Sequence, residues 1–135
     1  MNEEGNLEIK ATQEQGKVPV TVLYLNGNLD VESYEKLIAE AEALKAAGTK
    51  YLLLDLKGVP YISSSGLRAL NIIFKAYKSD DNAEALSKGL RDGTYKSPHL
   101  KLLNPSKTVL EGLKISGFDM FLEIHKNLKD AVNSF

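Results

Sequence analysis

The run Tyr51-Leu52-Leu53-Leu54-Asp55-Leu56 is almost unbroken in its apolar character and stops at Gly58 and Pro60. A strand with water on one face alternates apolar and polar residues, so a continuous run of strand length fits a strand covered on both faces. Such a strand commits the chain to a layered fold. The residues after it are equally specific. Ser63, Ser64, Ser65 and Gly66 precede Leu67, Leu70, Phe74 and Tyr77, which recur at helical spacing. A serine at a helix start caps an unpaired first-turn N–H. One serine suffices for that purpose. The free N–H groups and the positive end of the helix dipole also make this a place where a phosphate would be well received.

The elements around this centre alternate between strand and helix. Leu7, Ile9 and Ala11 alternate with Glu8, Lys10 and Thr12, which predicts an edge strand over 6–14. Gln15-Gly16-Lys17 reads as a turn, and 18–25 as a more apolar, interior strand with Pro19 tolerated at its start. After Gly27-Asn28-Leu29-Asp30, a helix is expected over 31–47. Its apolar stripe is Tyr34, Leu37, Ile38, Ala41 and Leu44, its solvated faces are rich in Glu and Lys, and Gly48 stands at the C′ position. Asp30 reads as an N-cap or first-turn carboxylate for that helix. A strand, a helix and a short return to 51–56 imply a parallel pair with a right-handed crossover.

The helix after Ser64 carries a second apolar stripe, Ala69, Ile72, Ile73 and Ala76, to be covered by a neighbouring helix or left as a docking face. Residues 79–98 are polar, with Gly89 and Gly93 opposing a long helix. A strand over 99–103, a helix beginning near Asn104-Pro105-Ser106 and stopping at Ser116-Gly117, a last strand near 121–125 and a short helix over 127–135 complete the chain. The fold class expected is a single α/β domain, with a small mixed sheet, mostly parallel, and helices mainly on one face.

Several chemistries lack their residues. There is no cysteine, which excludes disulfides, thiol nucleophiles and cysteine-based zinc sites. Ile62 stands two residues before Ser64, where a hydrolase nucleophile elbow needs glycine. The two histidines, His99 and His125, read as polar residues at strand ends. No phosphate-binding Gly-rich loop and no metal-ligand spacing is present, so no cofactor is implied. A net charge of −1 gives no broad attraction to nucleic acid or an anionic membrane. No apolar run approaches the roughly 20 residues of a membrane span, and the first residues lack an apolar signal core. A free cytoplasmic protein that is not an enzyme is the expectation.

The stretch Leu54-Asp55, Val59, Tyr61-Ile62, Ser63-Ser64-Ser65, Gly66-Leu67 resembles the signature of the STAS family, the sulfate-transporter and anti-sigma-factor-antagonist domains. Gly27-Asn28-Leu29-Asp30 extends the resemblance, as does the spacing of Val109, Leu113, Gly117-Phe118, Phe121 and Ile124. Residues 79–98 then look like an insertion in a single domain. The resemblance implies an antagonist of an anti-sigma factor with serine kinase activity. Its phosphoacceptor would be Ser64, with Ser63 and Ser65 as neighbouring candidates; many members carry Asp where this chain has Ser63. It also implies a partner surface that includes Asp30, Ile62, Ser63, Ser65, Gly66 and Leu67, and a serine phosphatase that reverses the modification. The alternative is a STAS-like scaffold, or a module binding a small anion, nucleotide or lipid, without a phosphorylation switch.

Overall fold

The computed structural model describes residues 7–78 and 95–135. Five strands form one sheet in the order β1-β2-β3-β4-β5. They are β1 (Glu8–Gln15), β2 (Pro19–Asn26), β3 (Leu52–Gly58), β4 (Leu100–Leu103) and β5 (Ile124–His125). β1 pairs antiparallel with β2 through the tight turn at Gly16, and every other pair is parallel. Among the described residues the helices are α1 (Tyr34–Ala46), α2 (Ser64–Ala76), α3 (Lys107–Ile115) and α4 (Leu128–Asn133). The expected mixed, mostly parallel sheet is therefore present, with the apolar run of β3 at its centre.

β3 is dominated by leucines because both of its faces are covered. Leu52, Leu54 and Leu56 join Leu23, Leu25, Leu100 and Leu102 beneath α1, α2 and α3, whose Leu37, Ala41, Leu70, Ile73, Phe74, Val109 and Leu113 complete the main core. Leu53 points to the opposite face and meets Val20, Val22 and Leu103 under Ala131 and Val132 of α4. Of the helices among the described residues, α1, α2 and α3 thus lie on one face and the short α4 on the other. The second stripe of α2 is covered in part by α1: Ala69 and Ile73 are buried, Ile72 and Ala76 are half-buried, and the Tyr77 hydroxyl donates to the Ala41 carbonyl at 2.7 Å. Burial raises the Tyr77 phenol to about 12.

Two boundaries differ from the sequence reading. α1 begins at Tyr34, not near residue 31, because residues 30–33 close a turn in which Ser33 N and Tyr34 N both donate to the Asp30 carbonyl. The strand expected near 121–125 is only Ile124–His125. Ahead of it, Gly117 at φ 85° turns the chain into a 3₁₀ segment, Phe118–Met120. Ring packing explains this, with Phe118 on Phe121 at 5.4 Å and Phe121 on Phe74 at 5.0 Å between centroids.

Of the polar stretch 79–98, residues 79–94 lie outside the described residues. The remainder belongs to the body of the domain. Tyr95 meets Phe74 edge-on, and Ser97 is fully buried, its N–H donating to the Phe121 carbonyl and its Oγ accepting from Leu100 N.

Candidate functional site

In a parallel sheet the connections that leave the C-terminal strand ends gather along one edge. Here the edge is built from the corner after β2, the loop between β3 and α2, and the start of α3. An isolated parallel bridge pairs Leu29 with Ile62 and joins the first two. Leu29 N donates to the Tyr61 carbonyl at 3.0 Å, and Ser63 N donates to the Leu29 carbonyl at 2.9 Å. Ile62 is buried against Leu29 and α3, where Gly112 faces it. Ser106, the cap of α3, sits beside the same loop, its Oγ 3.4 Å from the Val59 carbonyl.

The three serines are not equivalent. Ser63 is the N-cap of α2, and its Oγ accepts from Gly66 N at 3.2 Å. Ser64 occupies the first helical position and is exposed, whereas Ser65 is half-buried. No acidic residue lies in the first turn of α2. The positive end of the helix therefore faces solvent beside the Ser64 hydroxyl without a carboxylate of its own helix to offset it. Leu67 is half-buried against the core.

Gly66 is required by close approach. A Cβ there would lie 2.5 Å from the Leu29 carbonyl oxygen and 2.7 Å from Ile62 Cγ1. Only glycine lets α2 start this near the β2–α1 corner. Asp30 thus lies next to the serine turn, one residue beyond Leu29. Its Oδ1 accepts from Glu32 N at 3.0 Å, which holds the carboxylate at the head of α1. The cap position itself belongs to Ser33, not to Asp30.

Ser33 is the residue the sequence reading missed. It is fully buried; its Oγ donates to the Asn28 carbonyl at 2.7 Å and accepts from Asp30 N at 3.1 Å. One hydroxyl therefore pins both sides of the corner that carries Asp30. The signal available was a serine three residues after an aspartate at a strand-to-helix junction, a spacing suited to local side-chain–backbone bonds. Two exposed apolar side chains flank the site, Val31 at 69% and Tyr61 at 50% exposure. Neither was singled out from the sequence as a surface residue.

His99 and His125 stand at strand ends as expected. His99 precedes β4, at the sheet edge opposite Ser64, with its Nδ1 3.1 Å from the Lys50 carbonyl. His125 Nε2 is 2.9 Å from Glu123 Oε1, which also pairs with buried Lys101. Burial pushes the Glu123 carboxyl upward, but hydrogen bonds from His125 and Lys101, with their charges, outweigh that and hold it below the ordinary value. Among the described residues no cluster of three or more His, Asp or Glu could hold a metal ion, and no helix is long and apolar enough to cross a membrane.

The STAS domain family model matches residues 10–88, a span that holds the strand, the serine turn and both flanking helices. No curated protein matches the chain. Among solved structures, the chain resembles an anti-sigma factor antagonist from Mycobacterium paratuberculosis at 17% identity and a TM-score of 0.73, covering 96% of this chain and 93% of that one. It also resembles the Bacillus cell fate determinant SpoIIAA in the phosphorylated form, at 17% identity and a TM-score of 0.61, covering 93% and 97%. A third likeness is to the murine anion transporter Slc26a9, at 15% identity and a TM-score of 0.62, covering 95% of this chain and 22% of that one. At these identities the structures speak for the fold, while the family match extends over more than half of the sequence. The chain belongs to the STAS domain family.

Proposed function

We propose that this protein is an anti-sigma-factor antagonist, controlled by phosphorylation of Ser64. In its unmodified form it binds an anti-sigma factor that has serine kinase activity, and so frees a sigma factor. The observation that carries this reading is the exposed Ser64 residue at the start of a helix whose own first turn has no carboxylate, seated next to the Asp30 corner. Asp30, Ile62, Ser63, Ser65, Gly66 and Leu67 form or shape the contact surface. The protein acts as substrate and binding partner rather than as an enzyme, it needs no cofactor, and a serine phosphatase restores it. Its place of action is the cytoplasm, as one domain in which 79–98 is an insertion.

In the modification step, Ser64 Oγ attacks the γ-phosphorus of ATP bound to the kinase. The Oγ–P bond forms, the bond from phosphorus to the β–γ bridging oxygen breaks, ADP leaves, and the hydroxyl proton passes to a base of the kinase. The product carries about −1.5 to −2 charge at neutral pH. Beside a helix N-terminus that charge is tolerated by the domain itself. A partner surface fitted to a small neutral hydroxyl must then accommodate bulk and desolvate a dianion, which weakens docking.

The test is incubation with a cognate anti-sigma kinase and ATP, with intact mass and peptide mapping as the readout. One phosphate on Ser64, lost in Ser64→Ala while that variant still binds the kinase, is the expected result. Ser64→Asp should bind more weakly with its melting temperature nearly unchanged. A phosphate mapped elsewhere, or a phosphorylated protein that binds as tightly as the unmodified one, would overturn the mechanism.

A further inference from the structure

Arg68 lies four residues after Ser64 on α2, which places the two side chains on one helix face, one turn apart. It is exposed. Its side chain borders a groove of about 310 Å³ between α1 and α2, lined also by Tyr34, Ile38, Ile72 and the carboxylate-bearing Glu35 and Glu42. Neither Glu35 nor Glu42 forms an ion pair with it: the ion pairs among the described residues are those of Glu123. Arg68 thus shares a groove with two acidic residues of α1 and a helix face with Ser64, and among the described residues it is ion-paired with none of them.

Other cations near this edge are differently placed. Lys36 on α1 is committed, its Nζ donating to the Leu7 carbonyl at 2.7 Å. Lys57 at the end of β3 and Lys107 at the start of α3 are exposed, each on a different element from Ser64. Lys75 lies in the last turn of α2, two turns beyond Arg68. The carboxylates on the facing elements are Asp30 and Glu32 at the corner, Glu35, Glu40 and Glu42 on α1 and Glu111 on α3, all of which would repel a phosphate.

We propose that Arg68 is the intramolecular partner of a phosphate on Ser64, leaving the groove to Glu35 and Glu42 when the modification is made. This rests on Ser64 being the acceptor. A planar guanidinium can give a phosphate two parallel hydrogen bonds, which an ammonium cannot. Arg68 then has two consequences. It holds the added charge against α2 instead of letting it disturb the corner at Asp30, and it strips the α1–α2 groove of its positive charge, so that the modified protein differs from the unmodified one on two adjoining surfaces.

The experiment installs phosphoserine at position 64 during synthesis, so that no kinase is needed and its outcome is separate from whether a kinase chooses Ser64. The second ionisation of the phosphate, ordinarily near pH 6, is monitored by phosphorus NMR in the parent chain and in Arg68→Gln, Arg68→Lys, Lys57→Gln and Lys75→Gln. The expected result is that Arg68→Gln raises the midpoint by about half a pH unit or more, roughly a threefold change in proton affinity. Arg68→Lys should restore part of it, and the two lysine variants should move it by much less. The difference should shrink in concentrated salt. An equal midpoint in Arg68→Gln and the parent, or a larger shift in Lys57→Gln, would overturn the assignment. Because Arg68 is exposed, the unphosphorylated variant should keep the parent's melting temperature, which excludes misfolding as the cause of a shift.

Discussion

Two glycines, both inside helices, should respond in opposite directions to the same substitution. At Gly66 an added Cβ stands 2.5 Å from the Leu29 carbonyl oxygen, 2.7 Å from Ile62 Cγ1 and 3.0 Å from Leu29 Cγ. The oxygen is backbone, and it already accepts the Ser63 N–H at 2.9 Å. To restore an ordinary contact, α2 and the β2–α1 corner must separate by several tenths of an ångström. Overpacking of this kind costs about 1–3 kcal/mol. Weakening the Ser63–Leu29 hydrogen bond adds about 1 kcal/mol, and the higher helix propensity of alanine returns up to about 1 kcal/mol. The net for Gly66→Ala is a loss of about 2 kcal/mol. With an unfolding entropy of about 2 cal/mol/K per residue, a chain of 135 residues loses roughly 7 °C in melting temperature. At Gly112 the nearest atom to a new Cβ is Ile62 Cγ2 at 3.5 Å, an ordinary contact. Gly112→Ala should therefore stabilise by a few tenths to about 1 kcal/mol. Calorimetry and urea titration read by circular dichroism measure both. A Gly66→Ala protein that melts within a degree of the parent, or a Gly112→Ala protein that loses as much as Gly66→Ala, would refute the close-approach argument.

Three side chains elsewhere in the domain set further expected outcomes. Ser33→Ala removes the hydroxyl that joins Asn28 to Asp30 in a fully buried position; urea titration should show a loss of about 1–2 kcal/mol, and amide exchange should quicken first at Asp30. Tyr77→Phe should cost about 1 kcal/mol at neutral pH by deleting the bond to Ala41. Since the folded chain raises this phenol from 10.0 to about 12, the parent should lose stability as pH rises through that interval, and Tyr77→Phe should lose less. Glu123 has the reverse sign: its folded value is depressed below 4.5, so its contribution is present above that value and is lost as pH falls through the depressed one. Glu123→Gln should accordingly flatten the acid side of a plot of urea midpoint against pH.

Much of the domain could be read along the chain because its signals are local. The continuous apolar character of β3, the stripe of α1 and the serines at the head of α2 each reflect neighbours within a few residues, and the element order they spell is the order found. The serine turn was legible for the same reason, while the choice of Ser63 among the three serines as the cap came from the structure. Contacts between distant segments decided the rest. Gly66 must be glycine because of residue 29, brought against it by the bridge from Leu29 to Ile62. Lys101 is the one charged residue in the apolar strand β4. It is 3% exposed because α4 folds over that face of the sheet, where its Nζ reaches the Ser134 carbonyl at 2.9 Å and Glu123 at 3.2 Å. The strand expected near 121–125 shortened to two residues because Phe121 packs on Phe74, and Phe118 on Phe121, rather than extending an edge. Periodicity and capping are properties of a segment and survive in the one-dimensional record. Burial of a lysine, the absence of room for one methyl group and the pairing of two corners are properties of surfaces that exist only once the sheet has assembled.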